Sequence, residues 1–316
     1  MEQRRLGKSS LHVSPLALGG NVFGWTVDEK TAFGLLDSFI ANGFNMIDTA
    51  DSYSRWAPGN KGGESETIIG KWIRQRKNRD KVIIATKVGS DMGQGKRDIS
   101  KKYILRAAED SLRRLQTDRI DLYQTHWDVE TVPVEETLEA YAQLVDEGKV
   151  RWIGASNISP ERLRLSLEAS DKHGYPRYQA LQPEYNLYNR EMFEKSYEGI
   201  CIEENLGVIC YYSLVSGFLT GKYRSESDLK KSPRGGGIKK YFTERGFKIL
   251  QALDKVSDEY HTTPASVAIA WLQSRPSITA PIASATSIVQ LQSLMKASEI
   301  KLSDEAISLL NTASSY

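Results

Sequence analysis

Leu16–Trp25, LALGGNVFGW, sets a short apolar run in front of a glycine pair. An open doubly wound sheet that binds a dinucleotide carries G-x-G-x-x-G after its first strand. Here the glycines fall at Gly19, Gly20 and Gly24, and that spacing is absent. The open sheet loses its signature, and a closed parallel barrel becomes the expected fold.

Outward from this stretch, short β-rich runs alternate with longer amphipathic ones. TVDEKTAFGLLDSFIANG (26–43) reads as a helix, with Thr26 and Glu29 as a capping box and Gly43 as its left-handed end. FNMID (44–48) is the next strand and ESETIIGKWIRQ (64–75) the next helix. KVIIATK (81–87) is apolar without alternation, as a parallel strand covered on both faces should be. Strands follow at RIDLYQTH (119–126), VRWIGASN (150–157), YQALQPEYN (178–186), GVICYYSL (207–214) and ITAPIA (278–283), separated by helical segments. Ser100 is placed to cap the third helix, and SIVQLQSLMKA (287–297) is the eighth. Eight units in 316 residues predict an α/β (β/α)8 TIM barrel forming one domain over 1–316. RRLGKSSLHVS (4–14) predicts a β-hairpin across the barrel floor.

Composition narrows the function classes. The 42 basic and 40 acidic side chains nearly cancel, so no charge excess argues for nucleic acid or an anionic membrane. Cys201 and Cys210 are the only cysteines, in no metal or disulfide pattern, and no apolar stretch has the length of a membrane span. A soluble cytoplasmic protein is expected; its oligomeric state is not written in the sequence.

In a barrel the carboxyl ends of all strands meet at one mouth, where active sites are built. Those ends carry Asp48, Lys87, His126, Ser156 with Asn157, Gln182, and Tyr212 with Ser213. Any one of them is explained as a strand end. Together they place an acid, a lysine, a histidine and amides around one cavity, and such convergence of titratable groups is a functional signal.

DTADSY (48–53), ATKVG (85–89), YQTHWD (123–128), GASN (154–157), LQPEYN (181–186), and YSL with GFLTGKY (212–223) together resemble the aldo-keto reductase superfamily. The match is closest to the branch with bacterial general-stress reductases and potassium-channel β subunits. The resemblance implies a catalytic tetrad of Asp48, Tyr53, Lys87 and His126. Tyr53 would be the general acid, its pKa lowered by the Lys87 ammonium, with Asp48 holding Lys87 and His126 orienting the carbonyl. It also implies NADP(H) as cofactor. Tyr212 would stack on the nicotinamide, although it could equally fill the barrel. Ser156, Asn157 and Gln182 would meet the carboxamide, and Gly20 and Asn21 would flank the cofactor beside Asp48. Ser213, Leu214, Gly217 and Leu219 would line the pyrophosphate path, with Lys222 on phosphate.

One departure bears on the cofactor. Many members carry a basic residue after strand eight for the 2′-phosphate, whereas PIASATSIVQLQSL (281–294) has none before Lys296. Thr286 and Gln290, with Arg234 from KSPRGGG (231–237), are the expected substitutes; a solvated loop charge is the other reading of Arg234. NADP(H) is expected over NAD(H). Trp25, Tyr53, Trp56, His126 and Trp127 are the candidate walls for a small carbonyl substrate. Two rivals remain: a Schiff-base aldolase using a neutral Lys87, and an NADP(H)-binding, redox-sensing subunit with little turnover.

Overall fold

The structure is a computed structural model and describes residues 2–316. Eight strands run parallel around one sheet: β3 (Ala17–Gly19), β4 (Met46–Asp48), β5 (Ile83–Val88), β6 (Ile120–Thr125), β7 (Val150–Ser156), β8 (Tyr178–Gln182), β9 (Gly207–Val208) and β10 (Ile282–Ala283). β10 pairs with β3. The seam on the other side is closed by backbone bonds. Thr279 and Ala280 donate to the Val208 carbonyl at 2.9 and 3.1 Å, and Ile282 donates to that of Cys210 at 2.8 Å.

Each strand sorts its residues between two cores. Ala17, Met46, Ala85, Leu122, Ala180 and Ile209 pack inside the barrel. Leu18, Ile47, Ile84, Tyr123, Leu181 and Val208 pack outward against the helices. Both faces are therefore apolar, which accounts for the unbroken runs of the sequence.

The floor is closed by the expected hairpin of β1 (Arg4–Arg5) and β2 (His12–Val13). Leu6, Leu11 and Val13 enter the interior cluster. Gly7 is required at the turn: its φ is +58°, and a Cβ there would sit 2.3 Å from the Gln179 carbonyl. The Lys8 and Ser14 amides donate to the side chains of Gln179 and Asn45, at the lower ends of β8 and β4.

Around the barrel lie α1 (Glu29–Ala41), α2 (Glu64–Arg76), α3 (Lys101–Leu115), α4 (Val134–Asp146), α5 (Pro160–His173), α6 (Glu198–Glu203), α7 (Glu244–Glu259), α8 (Pro264–Ser274), α9 (Ile288–Lys296) and α10 (Asp304–Ala313). Several local expectations are corrected. The cap of α1 is Asp28, whose Oδ1 accepts from the Thr31 amide, because Thr26 is still inside a turn bonded to the Val22 carbonyl. Ser100 stands at the start of α3 but makes no side-chain cap bond. A π-helical turn, Phe193–Tyr197, precedes α6, and α10 follows the eighth helix. β9 is much shorter than GVICYYSL and ends at Val208; beyond it the Tyr211 amide still donates to the Pro183 carbonyl, but Pro183 has no N–H to return a ladder bond. No helix among the described residues is long and apolar enough to cross a membrane.

Candidate active site

β4 ends on Asp48 and β5 carries Lys87 inward beside it, so the two meet at the mouth. The ammonium donates to Asp48 Oδ2 at 2.8 Å, to the Thr49 carbonyl at 2.7 Å and to the Tyr53 hydroxyl at 2.8 Å. An ammonium has three protons, and all are used. Tyr53 arrives from the loop after β4, which is tied to β5 by the Asp51 amide donating to the Lys87 carbonyl. Its hydroxyl donates to Asp48 Oδ2 at 3.2 Å. Asp48 Oδ1 is held by Gln182 Nε2 at 2.9 Å.

The protonation directions follow from burial. Burial first, then the Asp48 carboxylate, push the Tyr53 phenol well above its ordinary pKa. Burial and Asp48 together outweigh any lowering by the Lys87 ammonium, and the phenol is protonated in the cleft. Burial lowers the Lys87 pKa, with Asp48 opposing. His126 follows β6, its amide bonded to the Val88 carbonyl and its Nδ1 2.9 Å from Ser90 Oγ. Burial, with Lys87 and Arg97 adding to it, lowers the His126 pKa well below the usual value, so the ring is neutral. Its centroid lies 6.0 Å from that of Tyr53.

These groups open on a cleft of about 1170 Å³ running from Asp48, Tyr53 and His126 to Thr286 and Gln290. Ser156, Asn157 and Gln182 line it, already joined in a network: Ser156 donates to the Gln182 carbonyl, and Asn157 Nδ2 to the His126 carbonyl. Asn21, Ser213, Leu214, Gly217 and Lys222 also line it. Two expected residues do not. Leu219 is fully buried in the outer core. Gly20 stands behind the wall, its amide on the Asp48 carbonyl, where a Cβ would meet Ser65 Oγ at 2.8 Å.

Two tyrosines stand side by side here, and both line the cleft. Ile209 and Tyr211 belong to the interior cluster, whereas Cys210 and Tyr212 join the outer one. The Tyr211 hydroxyl donates to Asn157 Oδ1 at 3.0 Å. The Tyr212 hydroxyl accepts from Ser216 Oγ at 2.8 Å. Beyond, Val215, Ser216 and Gly217 are all left-handed, with φ of +51°, +52° and +95°. Such strain in non-glycine residues clusters at functional loops.

Arg234 also lines the cleft and lies over the Trp25 ring, 5.2 Å from its centroid, with its Nη2 buried and without a partner. Gln290 Oε1 accepts from both the amide and the hydroxyl of Thr286. Trp25 meets Trp56 edge-on at 5.7 Å, and Trp56 is 6.1 Å from Tyr53. Trp127 stacks beside His126 at 5.9 Å. A cleft this large, lined by a protonated phenol and an orphaned guanidinium, fits a dinucleotide.

The profile of the Aldo/keto reductase family matches residues 15–314, and the chain belongs to that family. It is 37% identical to the uncharacterized oxidoreductase YrpG of Bacillus subtilis, over 98% of this chain and 95% of that one. It is 34% identical to the aldo-keto reductase YhdN of the same organism, over 96% and 89%. It is 30% identical to a probable voltage-gated potassium channel subunit beta of Arabidopsis thaliana, over 95% and 92%.

Proposed function

We propose that the chain reduces aldehydes and ketones to alcohols with NADPH, and that Tyr53 gives the proton. The observation that carries this reading is the Tyr53 hydroxyl, protonated by its surroundings yet 2.8 Å from the Lys87 ammonium. Bound NADPH supplies the hydride to the carbonyl carbon. The substrate oxygen would sit between Tyr53 and neutral His126, whose Nδ1 is engaged by Ser90, leaving Nε2 for the oxygen. As charge gathers on that oxygen, the Tyr53 proton turns from Asp48 to it. The phenolate left behind faces the ammonium, an electrostatic stabilisation realised only once the proton has moved. Water then returns a proton to Tyr53.

Tyr212 offers the ring face for the nicotinamide, and Ser156, Asn157 and Gln182 the donors and acceptors for its carboxamide. Lys222, Arg234, Thr286 and Gln290 suit phosphates, which favours NADP(H) over NAD(H). A Schiff-base role for Lys87 is disfavoured, since its nitrogen is fully buried and donates in three directions. The likeness to a channel subunit beta keeps a second reading, in which NADP(H) is bound and chemistry is slow. Following NADPH absorbance with a panel of aromatic and aliphatic aldehydes separates the two. Turnover supports the reductase; tight NADPH binding without turnover on any aldehyde overturns it in favour of the sensor.

A further inference from the structure

Trp25, a candidate wall for the substrate, lines the cleft and makes a second contact there. It lies under the guanidinium of Arg234. The turn that carries it is rigidly held: the amides of Trp25, Thr26 and Val27 all bond the Val22 carbonyl. The loop after β4 adds two clamps. Ser54 Oγ donates to the Phe23 carbonyl at 2.7 Å and Asn60 Nδ2 to that of Gly24 at 2.8 Å. Trp56 closes on the indole from its edge.

Arg234 comes from the opposite side, in a turn fixed by Gly235, where a Cβ would meet the Leu229 carbonyl at 1.7 Å. Its guanidinium keeps Nη2 buried without any partner. A guanidinium can lie flat on an indole and still present its in-plane N–H groups to a phosphate. Lys222 and Lys231 also line the cleft and are exposed, but the Lys231 ammonium is already engaged by Asp228 at 2.7 Å and by the Lys222 carbonyl at 3.0 Å.

We propose that Trp25 is a positioning residue for cofactor selection: its indole holds Arg234 in the plane that receives the 2′-phosphate, and so sets the preference for NADPH over NADH. This rests on the NADP(H) reading above and extends it to a residue that touches no phosphate. A cation–π contact of this kind is worth about 0.5–2 kcal/mol, or roughly a few-fold to thirtyfold in affinity.

The test is calorimetric titration with NADPH, NADH, 2′,5′-ADP and 5′-AMP, which needs no turnover. Trp25→Ala should weaken NADPH and 2′,5′-ADP about fivefold or more, while NADH and 5′-AMP stay within about twofold. Trp25→Phe should keep most of the preference, since a benzene face still carries the guanidinium. In an Arg234→Ala background, Trp25→Ala should add nothing further. Equal weakening of NADPH and NADH by Trp25→Ala, or no weakening of either, overturns the proposal. The two levels fail differently. A wild-type protein that does not distinguish NADPH from NADH removes the NADP(H) reading itself. A preference lost in Arg234→Ala but retained in Trp25→Ala removes only the role of Trp25.

Discussion

Lys87 binds Asp48, Thr49 and Tyr53 at once, fully buried, so removing it leaves more than a gap. Lys87→Met strands the Asp48 carboxylate in the barrel. Breaking a buried pair in this way costs about 3–5 kcal/mol. Denaturant unfolding should show that loss, alongside lost turnover. Asp51 is a different case. Its carboxyl oxygens are buried without partners, and burial, with Glu66 adding repulsion, raises its pKa from 3.8 to about 8. The fold therefore keeps a proton that the unfolded chain releases, and stability falls as pH rises from about 4 to about 8. Asp51→Asn should melt higher than the wild type at pH 8, with the gap closing toward pH 4; equal melting at both pH values would contradict this. The residues at strand ends were legible because each closes an apolar run. Asp51 was not, since nothing in DTADSY shows that its third residue beyond Asp48 turns into the helical layer rather than into the mouth.

At the scale of elements, α2 and α3 hold the loop of Tyr53 from behind. Glu66 of α2 takes the Arg114 guanidinium of α3 at 2.6 Å and the Thr86 hydroxyl of β5 at 2.5 Å. The approach is permitted by Gly70, where a Cβ would lie 2.1 Å from the Arg114 carbonyl. Gly70→Ala should thus destabilise the protein by roughly 1–3 kcal/mol, as overpacking does, despite raising helix propensity. A neutral or stabilising result in thermal unfolding would mean that α2 slides freely on α3. The helices and strands were readable from apolar period. Their ends were less so: the α1 cap moved to Asp28, and β9 stopped at Val208, well short of the apolar run that predicted it.

The whole molecule divides its labour along the barrel axis. The hairpin plugs the floor with Leu6, Leu11 and Val13, far from the mouth. Leu11→Ala should lower stability by about 2–5 kcal/mol and leave KM for aldehyde unchanged at temperatures where the protein stays folded. A raised KM would show that floor and mouth are coupled. Barrel closure and the gathering of Asp48, Lys87 and His126 at one end were legible in the sequence, as a consequence of parallel strands alone. The bond from Tyr211 to Asn157 was not, because only the closed sheet brings those two segments together. The central claim is that Tyr53 delivers the proton, and the comparison of Tyr53→Phe with wild type tests it most directly. NADPH oxidation with an aromatic aldehyde is followed alongside calorimetric NADPH binding. The account predicts a rate lower by at least ~10²-fold with cofactor affinity nearly intact; turnover near the wild-type rate would contradict it.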